Sequence, residues 1–324
     1  MIAATYDTSG PNAGELRITE LPDPEPMAGE VRVRLKVSGV NPTDWKARMR
    51  DDRPVHHPVQ IPNQDGAGIV DAVGEGVSGQ RVGERVWVYH AAAGRPSGTA
   101  AQYVCLPESQ VVRLPGEVSL DPGAGLGIPG ITAHGCLFGD GPIKGQTVLV
   151  TGGAGAVGHV AIQLARWAGA RVIATVSTEP KALLARQAEA HDVLGYRDPS
   201  FRNRLAALAT DGIDRVVDVA VGTNLPMYLD TLAHRAVVVS YARDQPECAV
   251  PIHASMWRNI TFRFVLVYGL PTSVLERATA ELTNALRAGA IQPLPVQRFP
   301  LAQIEQAHAA VRAGVVGKVL VDIP

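Results

Sequence analysis

Two spacings of apolar residues divide this chain. Up to about residue 120 the runs are short and alternating. Segments 30–38, 68–73, 85–90, 101–106 and 110–114 place apolar side chains near every second position, with Gly, Pro and Asp between them. Such alternation, bounded by turn formers, predicts half-buried β-strands. Residues 21–27 hold Pro22, Pro24 and Pro26, which suits an extended loop rather than a strand interior. The character changes around 121–132. Beyond it, apolar strands are predicted at 147–151, 171–176, 193–195, 214–218 and 236–240. Helical spacing fills 158–168, 179–189, 199–209 and 224–233. That alternation predicts an α/β fold with a doubly wound parallel sheet covered by helices on both faces. Runs such as Val148-Leu149-Val150 fit strands buried on both sides. After residue 250 the pattern is mixed: a β-prone run at 259–267, helices at 273–288 and 301–313, and a last strand at 318–322. The expected organisation is a β-rich domain at 1–122, an inserted domain at 123–262, and a return to the first domain at 263–324. The crevice between the two parts is the expected catalytic site.

The strongest chemical signal is TVLVTGGAGAVG at residues 147–158. A β-branched run enters a glycine turn, and a helix-like segment follows. Gly153, Gly155 and Gly158 fit G-x-G-x-x-G. Gly153 is expected to make the tight turn, Gly155 to admit a pyrophosphate, and Gly158 to let helix and strand pack closely. Ala154, Ala156 and Val157 complete a loop whose N–H groups, with the helix N-terminus, suit an anion. A bare motif is weak, but strand before, helix after and a second strand beyond predict a dinucleotide site. Sites for NAD place an acid at the end of the second strand, about 20 residues on. Here that position is Val176-Ser177-Thr178, with no acid; Glu179 opens the next helix, where it complements the dipole. Ser177 and Lys181 supply a donor and a charge for a 2′-phosphate, which points to NADPH.

Composition excludes several classes. The chain of 324 residues is long enough for two cores, and 46% hydrophobic with 19% charged residues is ordinary for a globular protein. A net charge of −1 gives no basis for nucleic-acid or anionic-membrane binding, and no apolar run reaches the length of a bilayer span. A small molecule is the expected partner. The N-terminus lacks a basic leader and reads as a first strand. Cys105, Cys136 and Cys248 are widely spaced and build neither a disulfide framework nor a C-x-x-C site. A cytoplasmic location is the default expectation.

The blocks Gly39-Val-Asn-Pro-Thr-Asp44, DGAGIVDAVG at 65–74, VGERV at 82–86, GIPGITA at 127–133, the glycine turn and GKVLV at 317–321 occur together. In this order and spacing, the chain resembles the medium-chain dehydrogenase/reductase superfamily over essentially its whole length. The resemblance is to the zinc-independent quinone oxidoreductase, zeta-crystallin-like branch. It implies a GroES-like β-barrel domain plus a Rossmann domain, and hydride transfer from NADPH to quinones or activated alkenes.

Zinc-dependent relatives carry a ligand Cys at the position of Asn41 and Gly-His-Glu where this chain has Asn63-Gln64-Asp65. Amides are poor zinc ligands beside thiolate and imidazole, and the four-cysteine lobe expected before Cys105 is missing. The pair His56-His57 reads as a solvated feature of a Pro-rich loop. No metal is expected. The resemblance places Asn41 and Asp44 at the reacting end: Asn41 as a donor to the substrate carbonyl, Asp44 as an orienting group or a ribose contact. Turn formation beside Pro42 is the alternative for both. It also implies cofactor contacts for Thr132, Tyr196, Lys318 and the strand around Val265. Where well-matched quinone reductases have a Tyr, this chain has Lys46, preceded by Trp45. The following loop, 47–62, is basic, with Arg48, Arg50 and Arg53, so a remodelled substrate pocket is expected. Trp45 is read either as an aromatic wall or as packing under the loop. Two other readings stay open: a pathway-specific enoyl or enone reductase, and a catalytically idle NADPH-binding protein. The run at 259–267 is read as a sheet edge that pairs across a two-fold, predicting a homodimer.

Overall fold

The computed structural model of the chain describes residues 1–49 and 57–324. Arg50, Arg53 and His56 lie outside the described residues. The chain divides into two compact units, 1–128 with 295–324, and 129–294. The return to the first unit therefore comes at residue 295, later than the expected 263.

The first unit is mostly β. Its elements are β1 (Ile2–Asp7), β2 (Arg17–Glu20), β3 (Glu30–Val40), α1 (Pro42–Arg48), β4 (Val59–Gln60), β5 (Asp65–Val73), β6 (Arg85–Val88), β7 (Tyr103–Pro107) and β8 (Val111–Arg113). A helix, α2 (Leu120–Phe138), follows and runs on past residue 128. The second unit holds β9 (Thr147–Thr151), α3 (Ala156–Trp167), β10 (Arg171–Val176), α4 (Glu179–Gln187), β11 (Asp192–Gly195), α5 (Phe201–Leu208), β12 (Ile213–Asp218), α6 (Val221–Tyr228), β13 (Leu232–Ser240), α7 (Ile252–Trp257), β14 (Thr261–Phe264) and α8 (Thr272–Arg287). The chain then returns with β15 (Val296–Pro300), α9 (Ile304–Arg312) and β16 (Lys318–Asp322).

In the first unit a seven-stranded sheet runs β15-β16-β3-β5-β6-β8, with β7 on β3, and a three-stranded sheet runs β2-β1-β4. The long ladder ends at β15 and β8, so closure into the expected barrel is not shown among the described residues. Alternation along β3 explains the core: Val31, Val33 and Leu35 turn inward onto Val86, Val88, Val104, Leu106, Val319 and Val321. In the second unit the order β11-β10-β9-β12-β13-β14 is all parallel. Leu149, Ile173, Leu194, Val216 and Val238 cluster with Phe201, Leu205, Leu225 and Tyr228 from α5 and α6. The strand order reverses between β9 and β12, the switch point where such sheets bind ligands at their carboxyl ends.

Three elements differ from the sequence expectations. α1 stands where only a turn was foreseen: Asn41 caps it, Pro42 opens it, and Asp44 reaches back to the Asn41 N–H at 2.7 Å. α2 contains Gly123, Gly125, Gly127, Gly130, Gly135 and Pro129, which hid a 19-residue helix. Arg48, expected in a basic, Pro-rich loop, is buried at the end of α1. It pairs with Glu305 of α9 and donates to Gly14 O. The three cysteines are unpaired. Burial pushes the Cys105 and Cys136 thiols up to about 12 and raises that of Cys248.

A dinucleotide turn and a buried charge cluster

The glycine turn joins β9 to α3 in the second unit. Its left-handed residue is Gly152, at φ +67°, not Gly153 as expected. Gly153 is required by packing instead: a Cβ there would sit 3.0 Å from both Ala174 Cβ and Ile162 Cδ1. Gly158 is required more strictly, since its Cβ would lie 2.3 Å from Gly152 O. Gly155 caps α3 with no side-chain bond, and an added Cβ would meet nothing nearer than Gly152 O at 3.3 Å. The turn leaves Gly155 exposed at the start of α3. Ala154 is buried beneath it, while Ala156 and Val157 are half-buried in the first turn of α3. This cradle, with an uncapped helix N-terminus, fits a pyrophosphate.

Val176 pairs with Gly195, so Ser177 and Tyr196 leave neighbouring strand ends side by side. Tyr196 is exposed, with the Arg197 guanidinium 5.8 Å from its ring centre. Lys181 is half-buried in the first turn of α4, and Glu179 is engaged by Arg186 at 2.6 Å. Thr132 is buried in α2, and Val265 is buried just beyond β14, donating its N–H to Ser240 O at 2.9 Å. One residue that sequence reasoning missed is Asp218, at the end of β12. Fully buried, it accepts from Thr151 Oγ1, Ala220 N, Asn224 Nδ2 and Tyr228 OH at 2.7–2.8 Å. It ties the end of β9, where the glycine turn starts, to the loop after β12. An acid closing the apolar run Val216-Val217-Asp218 was the available signal.

In the first unit Asn41, Asp44, Asp65 and Lys318 form one buried cluster. Lys318 Nζ donates to Asn41 Oδ1 at 2.6 Å and to Val40 O at 3.1 Å. Asn41 Nδ2 donates to Asp65 Oδ2 at 2.7 Å. Both Asp65 oxygens accept from Ile128 N at 2.9 Å. Lysine only donates and an ionised carboxylate only accepts, so these partners fix which end of the Asn41 amide faces which neighbour. The other Nδ2 hydrogen has no partner among the described residues. Asp44 Oδ2 accepts from Asn41 N, while its Oδ1 is buried with no partner among the described residues. Burial pushes the Asp65 carboxyl up to about 6, against the pull of Lys318. Burial, then the charge of Asp65, raises Asp44 well above the usual carboxylate range; burial lowers the Lys318 ammonium. Lys318, expected at the cofactor, thus spends two of its donors inside its own unit.

Trp45 lies between two cations, with Arg312 of α9 5.6 Å and Lys46 Nζ 5.7 Å from its ring centre. Arg312 brings α9 to this ring, and Lys46 itself is exposed.

Two family models match the chain: an alcohol dehydrogenase GroES-like domain over residues 27–116 and a zinc-binding dehydrogenase domain over 156–284. The quinone oxidoreductase of Sus scrofa is 28% identical over 319 residues, covering 97% of this chain and 95% of that protein. A 2-haloacrylate reductase of a Burkholderia species is 30% identical over 319 residues, covering 95% and 94%. A mycobacterial protein solved in complex with NADPH superimposes with a TM-score of 0.85 at 29% identity, covering 99% of this chain and all of that one. The zinc in the second model's description does not fit these residues. Asn41 Oδ1 already faces an ammonium, Gln64 Oε1 accepts from Ala92 N at 3.1 Å, and no group of three or more His, Cys, Asp or Glu among the described residues converges on a point.

Proposed function

The chain belongs to the medium-chain dehydrogenase/reductase family, in its quinone oxidoreductase branch, and on that footing we propose that it is an NADPH-dependent reductase. It delivers hydride to a quinone or an α,β-unsaturated carbonyl, without zinc. The observation that carries this reading is the cradle over Gly155, joined to strand ends that offer Ser177 and Tyr196 in place of an acid. When bound, the nicotinamide supplies the hydride.

The chain's residues supply the rest. Gly153, Ala154, Gly155, Ala156, Val157 and Gly158 hold the pyrophosphate, and the dipole of α3 complements its charge. Ser177, Lys181 and Tyr196 take the 2′-phosphate end, and Thr132 and Val265 the nicotinamide half. The leftover Nδ2 hydrogen of Asn41 is the donor offered to an acceptor's oxygen as charge develops there. Trp45 and Lys46 are assigned to the acceptor's side. Asn41 and Gln64, both engaged as amides, support chemistry without a metal; zinc analysis of protein purified without added metal tests that point, and one zinc per chain with chelator-sensitive activity refutes it. The protein acts as a homodimer in the cytoplasm.

Similarity to a 2-haloacrylate reductase favours an electron-poor alkene as a second acceptor class beside quinones. The test is NADPH oxidation against a panel of quinones, enones and haloacrylates. Steady turnover is expected with at least one of them. A protein that binds NADPH yet reduces none is the idle binder instead. Asn41→Ala is expected to slow hydride transfer more than it weakens NADPH binding. Transfer at the wild-type rate would leave Asn41 as a member of the buried cluster and nothing more.

A further inference from the structure

Asp218 closes β12 at the carboxyl end of the parallel sheet and is 0% exposed. Its Oδ1 accepts from Thr151 Oγ1, Ala220 N and Asn224 Nδ2, each at 2.8 Å, and its Oδ2 accepts from Tyr228 OH at 2.7 Å. The directions of these bonds fix its charge. Val219 N donates to Thr151 Oγ1 at 3.0 Å, which leaves the threonine hydrogen for Asp218. A proton on Oδ2 would leave the buried phenol of Tyr228 with no other acceptor for its own hydrogen among the described residues. A carboxyl that only receives donors, on both oxygens, is ionised. All of those donors are neutral, and among the described residues no Lys, Arg or His bonds to Asp218. Asp244, on the loop after β13, is an acid as well and is taken up by Gly222 N and Thr223 N at the start of α6. The second unit thus keeps a buried negative charge without a counter-ion, a costly arrangement.

The sheet order gives that charge a use. β10 and β11, whose ends offer Ser177 and Tyr196 to the 2′-phosphate end, lie on one side of β9, and β12, β13 and β14 lie on the other. In a sheet of this kind each half takes one nucleotide across the switch point, so the half that opens with β12 takes the nicotinamide side. We propose that the buried carboxylate of Asp218 acts through its charge on the nicotinamide ring, favouring the oxidised, cationic form and so making bound NADPH a stronger reductant. The inference rests on the reductase reading above and adds what favours release of the hydride. Both electrons of the breaking C–H bond go with the hydrogen to the acceptor's carbon, and the ring is left with a positive charge. A negative charge shielded from water stabilises that cation more than a surface charge does, and it needs no direct contact to do so.

Titration of the whole protein with NADPH and with NADP⁺ tests this without any acceptor. Asp218→Asn keeps an oxygen for Thr151, Ala220 and Asn224, and its amide can donate to the Tyr228 hydroxyl, so the bonds persist while the charge goes. The ratio of the NADP⁺ Kd to the NADPH Kd should rise about 10-fold in this variant. Asp218→Glu, which keeps the charge, should hold the wild-type ratio. Thr151→Val removes a bond and keeps the charge, so any loss of affinity should fall on both cofactors alike. Tyr228→Phe withdraws a donor that offsets the carboxylate, and the ratio should fall. A residue that only knits the two loops together would weaken both cofactors equally in every variant. An unchanged ratio in Asp218→Asn overturns the proposal; where that variant does not fold, a ratio that does not fall in Tyr228→Phe overturns it. A wild type that binds neither cofactor overturns the reductase reading itself, whereas binding with an unmoved ratio overturns only the role given to Asp218.

Discussion

His308 on α9 reaches Asn63, 245 residues earlier in the chain, through Nε2 and the amide oxygen Oδ1 at 2.9 Å. Asn63 Nδ2 donates to Ser38 Oγ at 2.9 Å, so Oδ1 must accept and Nε2 must carry the hydrogen. Ser38 Oγ meets Thr99 Oγ1 at 2.7 Å, and Thr99 donates to the backbone oxygen of Asp65. A chain of neutral hydrogen bonds thus runs from α9 to the residue that anchors the charge cluster.

This histidine makes stability depend on pH. Burial, with Arg48 nearby, lowers its pKa from 6.5 to about 3, while an unfolded chain protonates it near about 6.5. Between those values the unfolded state binds more protons, so this contribution is full above pH 6.5 and is lost as pH falls toward 3. The slope approaches about 1.4 kcal/mol per pH unit. His308→Gln keeps a donor for Asn63 and cannot titrate. Urea unfolding from pH 7 to 4 should show a flatter acid limb in the variant; equal slopes would refute the assignment.

The two later glycines of the turn should separate stability from binding. Gly158→Ala drives a methyl to 2.3 Å from Gly152 O and should cost about 1–3 kcal/mol of folding free energy. Gly155→Ala meets Gly152 O at 3.3 Å, a milder crowding, so it should cost less stability than Gly158→Ala yet bind NADPH poorly, because its methyl enters the cradle. Thermal unfolding and fluorescence titration of both variants decide this. Normal NADPH affinity in Gly155→Ala would remove the pyrophosphate from that space.

Cofactor choice should follow the 2′-phosphate. NADPH is expected to bind more tightly than NADH, and Lys181→Ala should reduce that preference by about 10-fold, the lower end for a charge-assisted bond. Glu179 is held by Arg186 and is a poor ribose acceptor. Equal affinity of the wild type for both cofactors sinks the assignment of Ser177 and Lys181.

β14 closes the parallel sheet with an open edge, and its neighbourhood is apolar. Phe264, Leu266, Met256 and Trp257 are each about two-thirds or more exposed. A bare edge of this kind invites pairing, and a homodimer across a two-fold is the expected form. Light scattering at micromolar concentration should give twice the chain mass, and Phe264→Arg should shift it toward monomer. A wild-type monomer would count against pairing.

The sequence made the second unit readable because buried parallel strands are continuous apolar runs. β9, β10 and β16 fall on their expected residues, while α6 begins at Val221 rather than at 224. Where Gly and Pro carry the packing, local propensity misleads. Gly39 is small because a Cβ would lie 2.0 Å from Ala124 O, and Gly127 because of Asp65, so α2 is a helix by its surroundings rather than its composition. The same limit applies to the site. Asn41 and Asp44 stood out as a motif, but the partner of Asn41 is Lys318, 277 positions away, and no spacing rule connects them.

Quinones and activated alkenes are soft electrophiles that alkylate thiolates. Cys136 is fully buried and Cys105 half-buried, with thiols held up to about 12, and the Cys248 thiol is raised as well. Almost no thiolate exists at neutral pH to be attacked. The acceptors proposed above would therefore find little to alkylate: resistance to them lies in the placement of three side chains that the proposed reaction does not use.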